Sequence, residues 1–250
     1  MPSKAVRSQR ERRIIMLHSI QERYGEKLRA TDGEIGHVRD FYFDDKNWTV
    51  RYLVADTGRW LSGRQVLISP HALGHLYPNG KVLLVNLTRE QIEKSPSIDE
   101  HKPVSRQHEE EYHRYYGYPY YAESWPLLGL AEYPVVIPPP PPTAAKQRGV
   151  DSHLRSARVV KGYKVEASDG AIGEIADFLI DGRTWVLREI VVESGHWYSG
   201  NEIRLATEKI SRISYDESTV YVDSTKAAII EAAQMPASTF GCCEHGHLSE

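Results

Sequence analysis

Apolar and polar residues alternate along two stretches of the chain, residues 35–43 and 172–180, and both stretches are rich in β-branched and aromatic residues. A period of two is typical of a strand that buries one face. Each stretch is followed by a polar turn and a second strand-forming segment, with the turns at 44–47 and 181–184 and the returning segments at 48–55 and 185–192. The pattern therefore predicts two β-hairpins.

Shorter strand-forming segments follow the hairpins, at 65–69, 81–86, 202–206 and 219–223. Thr88 and Gln91 then have the spacing of a capping box, in which the threonine hydroxyl accepts from a first-turn amide and the glutamine reaches back. We expect a short helix to begin there and to close the unit. Short strands at close spacing favour a small antiparallel barrel.

One pattern is written twice along the chain, at the offset of 137 positions that separates Asp32 from Asp169. The match runs without a gap from this turn to the end of the last strand segment. Its clearest members are Asp32, Gly33, Gly36, Asp40 and Arg51, which fall on Asp169, Gly170, Gly173, Asp177 and Arg188. A fixed repeat of this length indicates two copies of one folding unit. We expect these glycines, aspartates and arginines to have structural roles in the turns and strands of both copies.

The repeat divides the chain into five segments. We predict a basic arm at 1–13, a first barrel at 14–96, a linker rich in tyrosine and proline at 97–150, a second barrel at 151–236, and a flexible tail at 237–250. The predicted fold is therefore mainly β, with two tandem small antiparallel barrels that each end in a short helix. A barrel of this size buries only about 60% of its unfolded surface, so we expect the copies to gain stability by pairing within the chain or in a homodimer.

Composition narrows the possible partners and compartments. The chain has 250 residues and a net charge of −3, so no global positive field draws it to nucleic acid or anionic lipid. It lacks an apolar stretch of the roughly 20 residues that span a bilayer. Residues 1–13 are charged and lack the apolar centre of a secretory signal, and both cysteines lie in the tail. We expect a cytoplasmic protein without a transmembrane segment or a disulfide framework.

The residues that recur in the unit, taken in their order along the sequence, resemble those of a known family. The first copy carries Asp32-Gly33, Ile35-Gly36, Asp40-Phe41, Trp48, Gly58 and Trp60, and the second copy repeats them more loosely. This set is similar to the PRC-barrel domain of the photosynthetic reaction-centre H subunit and of ribosome-maturation factors. The resemblance implies a six-stranded barrel that acts as an adaptor, with partners that differ between members and without shared catalytic residues. The chain departs from the H subunit by lacking a membrane helix, and from the ribosome-maturation factors by lacking their other domain.

Each unit carries one aspartate and one arginine at matching positions. Asp40 and Asp177 lie on the first hairpin strands, and Arg51 and Arg188 lie on the returning strands. We predict that each aspartate pairs with its arginine across the strands and fixes the register. The spacing does not place a second carboxylate opposite the first, so acid–base catalysis is not indicated.

A matched loop carries the candidate partner-binding residues, which are Trp60, Ser62, Arg64, Trp197, Tyr198 and Ser199. An exposed tryptophan on a rigid barrel would anchor a protein partner, because aromatic residues dominate interface energetics. The alternative is that each tryptophan covers the barrel core.

The linker combines tyrosines with a run of five prolines, Pro138 to Pro142. The proline run predicts an extended polyproline II spacer. Arg114 is the only arginine or lysine between 109 and 142, so stacking on nucleic acid is disfavoured. The tyrosines either fold back on a barrel, bind a protein groove, or mediate self-association.

The two ends of the chain carry further candidate chemistry. The arm holds five basic residues, Lys4, Arg7, Arg10, Arg12 and Arg13, which would contact phosphates or would remain a solvated tail. In the tail, Cys243, His245 and His247 are possible ligands for zinc or copper, although adjacent cysteines do not form the usual C-x₂-C loop.

These observations predict an interaction protein that uses no cofactor and performs no catalysis. The chain lacks a P-loop, an H-E-x-x-H motif and a nucleophile–base arrangement. The predicted partner is a protein or a membrane-associated complex, by resemblance to the H subunit. The alternatives are an RNA- or ribosome-linked assembly factor and a metal-responsive stress protein that acts through its tail.

Overall fold

The computed structural model describes residues 16–74, 76, 82–96, 112, 114–118, 154–194 and 202–234. These residues form a mainly β structure with two sheets and short helices. The first set of elements is β1 (Leu17–Ser19), β2 (Lys27–Ala30), β3 (Gly33–Asp44), β4 (Thr49–Asp56), β5 (Gln65–Ile68), β6 (Val82–Leu84) and α1 (Arg89–Glu93). The second set is β7 (Leu154–Ser156), α2 (Ala157–Val160), β8 (Lys164–Ala167), β9 (Gly170–Asp181), β10 (Leu187–Ser194), β11 (Glu202–Ala206), β12 (Ile210–Ser214), β13 (Thr219–Val222) and α3 (Lys226–Gln234).

The strands pair into a six-stranded and a seven-stranded sheet. The smaller sheet has the order β5-β4-β3-β2-β6 with β7 on β3, and the larger has the order β11-β10-β9-β8-β13-β12 with β1 on β9. The predicted hairpins are confirmed as β3–β4 and β9–β10, both antiparallel. The expectation of a wholly antiparallel arrangement is wrong, because β6 pairs parallel with β2 and β13 pairs parallel with β8. Alternation of apolar residues sets which face is buried, and it leaves strand direction undetermined.

The strand pairs do not close either sheet within the described residues. β5 and β6 end the path through the smaller sheet, and β11 and β12 end the path through the larger one. The prediction of two closed barrels is therefore not met by the strand pairing in this part of the chain.

Each sheet contains one strand from the other half of the chain. β1 pairs with the end of β9, with Leu17 opposite Asp181, and β7 pairs with the end of β3, with Leu154 opposite Asp44. The two exchanges are related by the same offset of 137 positions that relates the sequence copies, since Leu17 corresponds to Leu154. The halves are thus joined by a reciprocal strand exchange.

The hairpin ends of the two halves also meet. The N–H of Val50 donates to the carbonyl of Trp185 at 2.9 Å, and the N–H of Leu187 donates to the carbonyl of Trp48 at 2.7 Å. The rings of Phe43 and Phe178 lie 5.7 Å apart, within one buried apolar cluster that includes residues of both halves. Local strain accompanies this contact, because both tryptophans adopt the left-handed region, with φ of 52° and 59°.

The predicted capping box is confirmed at α1. The N–H of Thr88 donates to Gln91 Oε1 at 2.8 Å, and the N–H of Gln91 donates to Thr88 Oγ1 at 3.2 Å. An aspartate of the preceding turn also accepts a hydrogen bond from the first residue of each C-terminal helix. The N–H of Arg89 in α1 donates to Asp32 at 2.8 Å, and the N–H of Lys226 in α3 donates to Asp169 at 2.9 Å. The carboxylates accept from amides that have no partner within the helix.

Candidate interaction site

Asp40 and Asp177 anchor the exchanged segments. Asp40 accepts from Ser156 Oγ at 2.5 Å and from the N–H of Arg158 at 3.2 Å, both in the other half of the chain. Asp177 accepts in the same way from Ser19 Oγ and from the N–H of Gln21, the latter at 3.0 Å. Burial raises the pKa of Asp40 in spite of these donors. The two carboxylates thus tie the halves together, which the sequence did not indicate.

The predicted pairing of Asp40 with Arg51, and of Asp177 with Arg188, is not the one that the structure shows. Arg51 lies 2.5 Å from Asp44, and Arg188 lies 4.0 Å from Asp181. The register of β3 against β4 shifts between Tyr42 and Phe43, which brings the arginine towards the hairpin end. Asp44 and Asp181, and not Asp40 and Asp177, are thus the aspartates that pair with an arginine across each hairpin.

The carboxyl of Asp44 is held in its charged form. Burial alone would raise its pKa, but the hydrogen bond and charge of Arg51, with the amides of Lys46 and Asn47, lower the pKa below its ordinary value. The pKa of Asp181 is also lowered: burial opposes the shift, and the hydroxyl of Thr184 and nearby amides outweigh it. Both groups stabilise their own turns.

The loop at 57–64 carries the candidate partner residues of the first half. Trp60 is half-buried against the core, and the guanidinium of Arg89 lies 4.5 Å from its ring centroid. Ser62 is exposed, with a φ of 54°. Trp60 therefore packs against the core, as the alternative prediction for this tryptophan states, and Arg89 contacts its ring.

Arg64 makes contacts within the fold, and its predicted contact with a partner stays a prediction. Its guanidinium donates to the carbonyl of Glu93 at 2.8 Å and to the carbonyl of Ser95, so it holds the end of α1. The exposed residues of the loop are Gly58, Arg59, Ser62 and Gly63. The remaining candidates Trp197, Tyr198 and Ser199 lie outside the described residues.

Tyrosines of the predicted linker lie on the outer face of the smaller sheet. Tyr112 is fully buried and packs edge-on against Tyr52, with ring centroids 5.2 Å apart. Val54 and Leu67 complete this cluster, with Tyr116 and Tyr118 packed beside it. Of the three predicted roles for the tyrosines, folding back on the first half is the one that the described tyrosines adopt. The proline run lies outside the described residues.

A buried histidine marks a difference between the two exchange sites. His18 is 6% exposed, its Nδ1 lies 3.0 Å from the Arg23 guanidinium, and its Nε2 has no hydrogen-bond partner among the described residues. Burial, followed by the charge of Arg23, lowers the pKa of His18 and favours the neutral ring. At the matching position, Arg155 contacts Asp45 at 3.3 Å. Sequence reasoning missed this site because His18 is buried against Gly182 of the other half of the chain, a contact that local sequence does not reveal.

The described residues show neither a cluster of metal ligands nor a membrane-spanning helix. No three His, Cys, Asp or Glu side chains converge in this part of the chain as metal ligands would. The candidate ligands Cys243, His245 and His247 and the basic arm lie outside it. No helix among the described residues combines the length and the apolar character needed to cross a membrane.

Comparison with known families identifies the first half. The model of the PRC-barrel domain matches residues 24–92, which include β2 to β6 and most of α1. The chain therefore contains a PRC-barrel domain, which is a protein-interaction type of domain. No curated protein matches the chain. The second half is related to the matched domain by the internal repeat.

Proposed function

We propose that the protein is a non-catalytic adaptor, in which two PRC-barrel units at 14–96 and 151–236 form one scaffold that presents its outer surface to a protein partner. The observation that carries the proposal is the PRC-barrel domain at 24–92, together with its repetition at a constant offset. The reciprocal bonds of Asp40 and Asp177 support a fixed relation between the two units. A fixed relation lowers the entropy lost when both units contact one partner.

The use of the buried carboxylates supports an adaptor rather than an enzyme. Catalytic groups commonly combine a shifted pKa with access to a substrate. Here Asp40, Asp44 and Asp181 have shifted pKa values, and their oxygens accept hydrogen bonds from neighbouring residues of the fold. These carboxylates therefore stabilise the fold.

The loop at 57–64 is the proposed contact surface. Its backbone is held from within, because the N–H of Gly63 donates to the carbonyl of Gly58 at 2.6 Å and the hydroxyl of Thr57 donates to the carbonyl of Arg64 at 2.7 Å. Arg59 and Ser62 project from this rigid loop as exposed residues. A preorganised loop loses little conformational freedom on binding.

The test is capture of a partner by the tagged full chain in its native cells. We expect the double variant Arg59→Glu, Ser62→Asp to recover about 10-fold less partner than the wild type, a loss of about 1.4 kcal/mol in binding. Aspartate tolerates the left-handed backbone at position 62. Lys46→Glu is the matched control, since Lys46 is an exposed cation on a different turn. Equal recovery by all three chains would exclude the loop as the contact surface.

A further inference from the structure

The ring of His18 lies at the contact between β1 and the second half of the chain. A Cβ placed at Gly182 would lie 2.7 Å from the Cδ2 and Nε2 atoms of this ring, so the histidine packs directly over the turn that follows β9. The N–H of Gly182 donates to the carbonyl of Met16 at 3.3 Å, and the N–H of Leu76 donates to the carbonyl of Gly182 at 3.0 Å. A change in the charge of the ring therefore acts directly on the contact between the halves.

The hydrogen bond between His18 and Arg23 fixes where the ring holds its proton. Nδ1 of His18 lies 3.0 Å from the Arg23 guanidinium. A guanidinium carries only donors, so Nδ1 is the acceptor and the neutral ring holds its one proton on Nε2. A second proton, taken from solvent, would bind to Nδ1. Two positively charged donors would then face each other at this distance, and the hydrogen bond would be lost.

The surroundings of the ring favour its neutral form. Burial, followed by the charge of Arg23, lowers the pKa of His18. The groups that act in the opposite sense have smaller effects, and they are the carboxylates of Asp181 and Glu22 and the backbone of Leu76. A histidine placed in this way changes charge within a range of pH in which carboxylates of ordinary pKa stay ionised.

Arg23 is itself held in place by a second buried group. Its guanidinium lies 3.3 Å from Glu26 Oε2, and the two side chains are 8% and 6% exposed. Separating a buried ion pair is costly, so we expect Arg23 to stay beside the ring when His18 takes up a proton. Burial raises the pKa of Glu26 in spite of the charge of Arg23. Protonation of Glu26 would remove a negative charge from this cluster and would disfavour a charged His18 further.

The second exchange site is built differently at the matching positions. The residues that correspond to His18, Arg23 and Glu26 in the repeat are Arg155, Val160 and Tyr163. The guanidinium of Arg155 keeps its charge throughout the neutral and acid range, and it lies 3.3 Å from the carboxylate of Asp45. The contact of Arg155 with Asp45 thus joins opposite charges, whereas a protonated His18 would meet a like charge.

We propose that the exchange of β1 with β9 is an acid-sensitive join between the halves, in which uptake of one proton by His18 releases β1 while the exchange of β7 with β3 stays closed. β1 has three residues, and each of them pairs with one residue of β9. A strand this short can open locally while the rest of the fold stays closed. Lowering the pH therefore loosens one of the two exchanges. This proposal does not depend on the adaptor function.

The test is amide hydrogen exchange of the full chain in β1 and β7 at pH 7.5 and at pH 5.5. The protection factor is compared, because it corrects each rate for the intrinsic effect of pH. The neutral ring stabilises the closed form above the ordinary pKa of 6.5, and this stabilisation is lost as pH falls from 6.5 towards the lowered pKa. We expect the protection factor of β1 to fall about 5- to 10-fold, since the open form alone takes up the proton readily. β7 in the same sample is the matched control and should keep its value.

His18→Asn separates proton uptake from the hydrogen bond, since its amide oxygen can accept from Arg23 and does not titrate. We expect its β1 protection factor to be equal at the two pH values. An equal fall in His18→Asn and the wild type would overturn the proposal, as would a fall in β7 as large as that in β1, or a wild-type β1 that keeps its protection.

The titration of the His18 imidazole in the wild type, followed by nuclear magnetic resonance, gives a second measurement that needs no variant. We expect its midpoint to lie below 6.5. A midpoint at or above 6.5 would overturn the proposal. If His18→Asn fails to fold by circular dichroism, this titration and the wild-type difference between β1 and β7 decide the matter.

Discussion

The two halves of the chain share their inner construction and differ on their outer faces. Asp40 and Asp177 bond the exchanged segments in the same way, and each half ends in a helix whose first turn is held by a turn aspartate. The outer face of the smaller sheet carries Tyr52, Val54 and Leu67, and the matching residues of the larger sheet are Glu189, Val191 and Arg204. The contacts that hold the scaffold are thus repeated, while the outer faces of the two sheets have diverged, and that of the smaller sheet is buried under Tyr112.

The exchange sites show the same contrast on a smaller scale. His18 packs closely over Gly182, whereas Arg155 meets Asp45 and lies 3.5 Å from the ring centroid of Tyr215. The backbone pairing is conserved between the two sites, and the side-chain chemistry is not. A backbone ladder tolerates such changes because its hydrogen bonds do not depend on side-chain identity.

The largest expected effect tests whether the halves have equivalent interiors. A Cβ at Gly36 would lie 1.9 Å from the carbonyl oxygen of Asp56, and one at Gly173 would lie 2.0 Å from that of Glu193. We expect Gly36→Ala and Gly173→Ala each to lower the free energy of unfolding by about 3 kcal/mol or more, because the backbone of the hairpin must move. Urea unfolding followed by circular dichroism gives the measurement.

Gly74→Ala is the control for this pair, because a Cβ there meets no atom within 4 Å and no positive φ opposes it. Its free energy of unfolding should match the wild type. A large loss at Gly36 with none at Gly173 would show that the two hairpins are not equivalent.

A smaller effect is expected at the carboxylates that join the halves. Asp40→Ala and Asp177→Ala each leave hydrogen-bond donors without their acceptor, and we expect each to cost about 2–3 kcal/mol in the free energy of unfolding. Combining Asp40→Ala with Ser156→Ala should cost less than the sum of the single changes, since the two residues share one bond.

Glu34→Ala on the exposed side of β3 is the matched control and should leave the free energy of unfolding unchanged. Additive costs for Asp40 and Ser156 would contradict the bond between the halves. A coupling found at Asp40–Ser156 and absent at Asp177–Ser19 would show that only one of the two aspartates contributes to joining the halves.

The smallest expected effect separates the two turn carboxylates by pH. The pKa values of Asp44 and Asp181 are lowered in the folded protein, so their stabilisation is present above the ordinary value of 3.8 and is lost as pH falls through the folded pKa. Arg51 is 12% exposed and 2.5 Å from its partner, whereas Arg188 is 40% exposed and 4.0 Å away. We expect Asp44→Asn to remove about 1 kcal/mol of the acid-dependent stability, and Asp181→Asn to remove less.

The measurement is the free energy of unfolding at pH 3 to 6 for the wild type and both variants. Asp40→Asn is the control of opposite sign, because burial raises the pKa of Asp40 and its ionisation opposes folding as pH rises. An acid dependence that Asp44→Asn leaves unchanged would contradict the assignment of Arg51 to Asp44.

Much of the local structure followed from short stretches of sequence. The hairpins, the strand at Glu202–Ala206 and the capping box at Thr88 were predicted with boundaries close to those observed. β1 and β7 were missed, since each has three residues and pairs with a strand in the other half. The partner of Arg51 was misassigned because a register shift is decided by the packing of both strands.

The sequence by itself showed that one pattern of residues is written twice, because the offset of 137 positions is visible in the residues alone. It also determined the turns and helix starts, which depend on neighbours within a few residues. Only the tertiary structure decided which strands the halves exchange, where Asp40 and Asp177 find their donors, and that Tyr112 packs against the smaller sheet. Those contacts join residues more than 40 positions apart, and local preferences carry no information about which distant groups meet once both are buried.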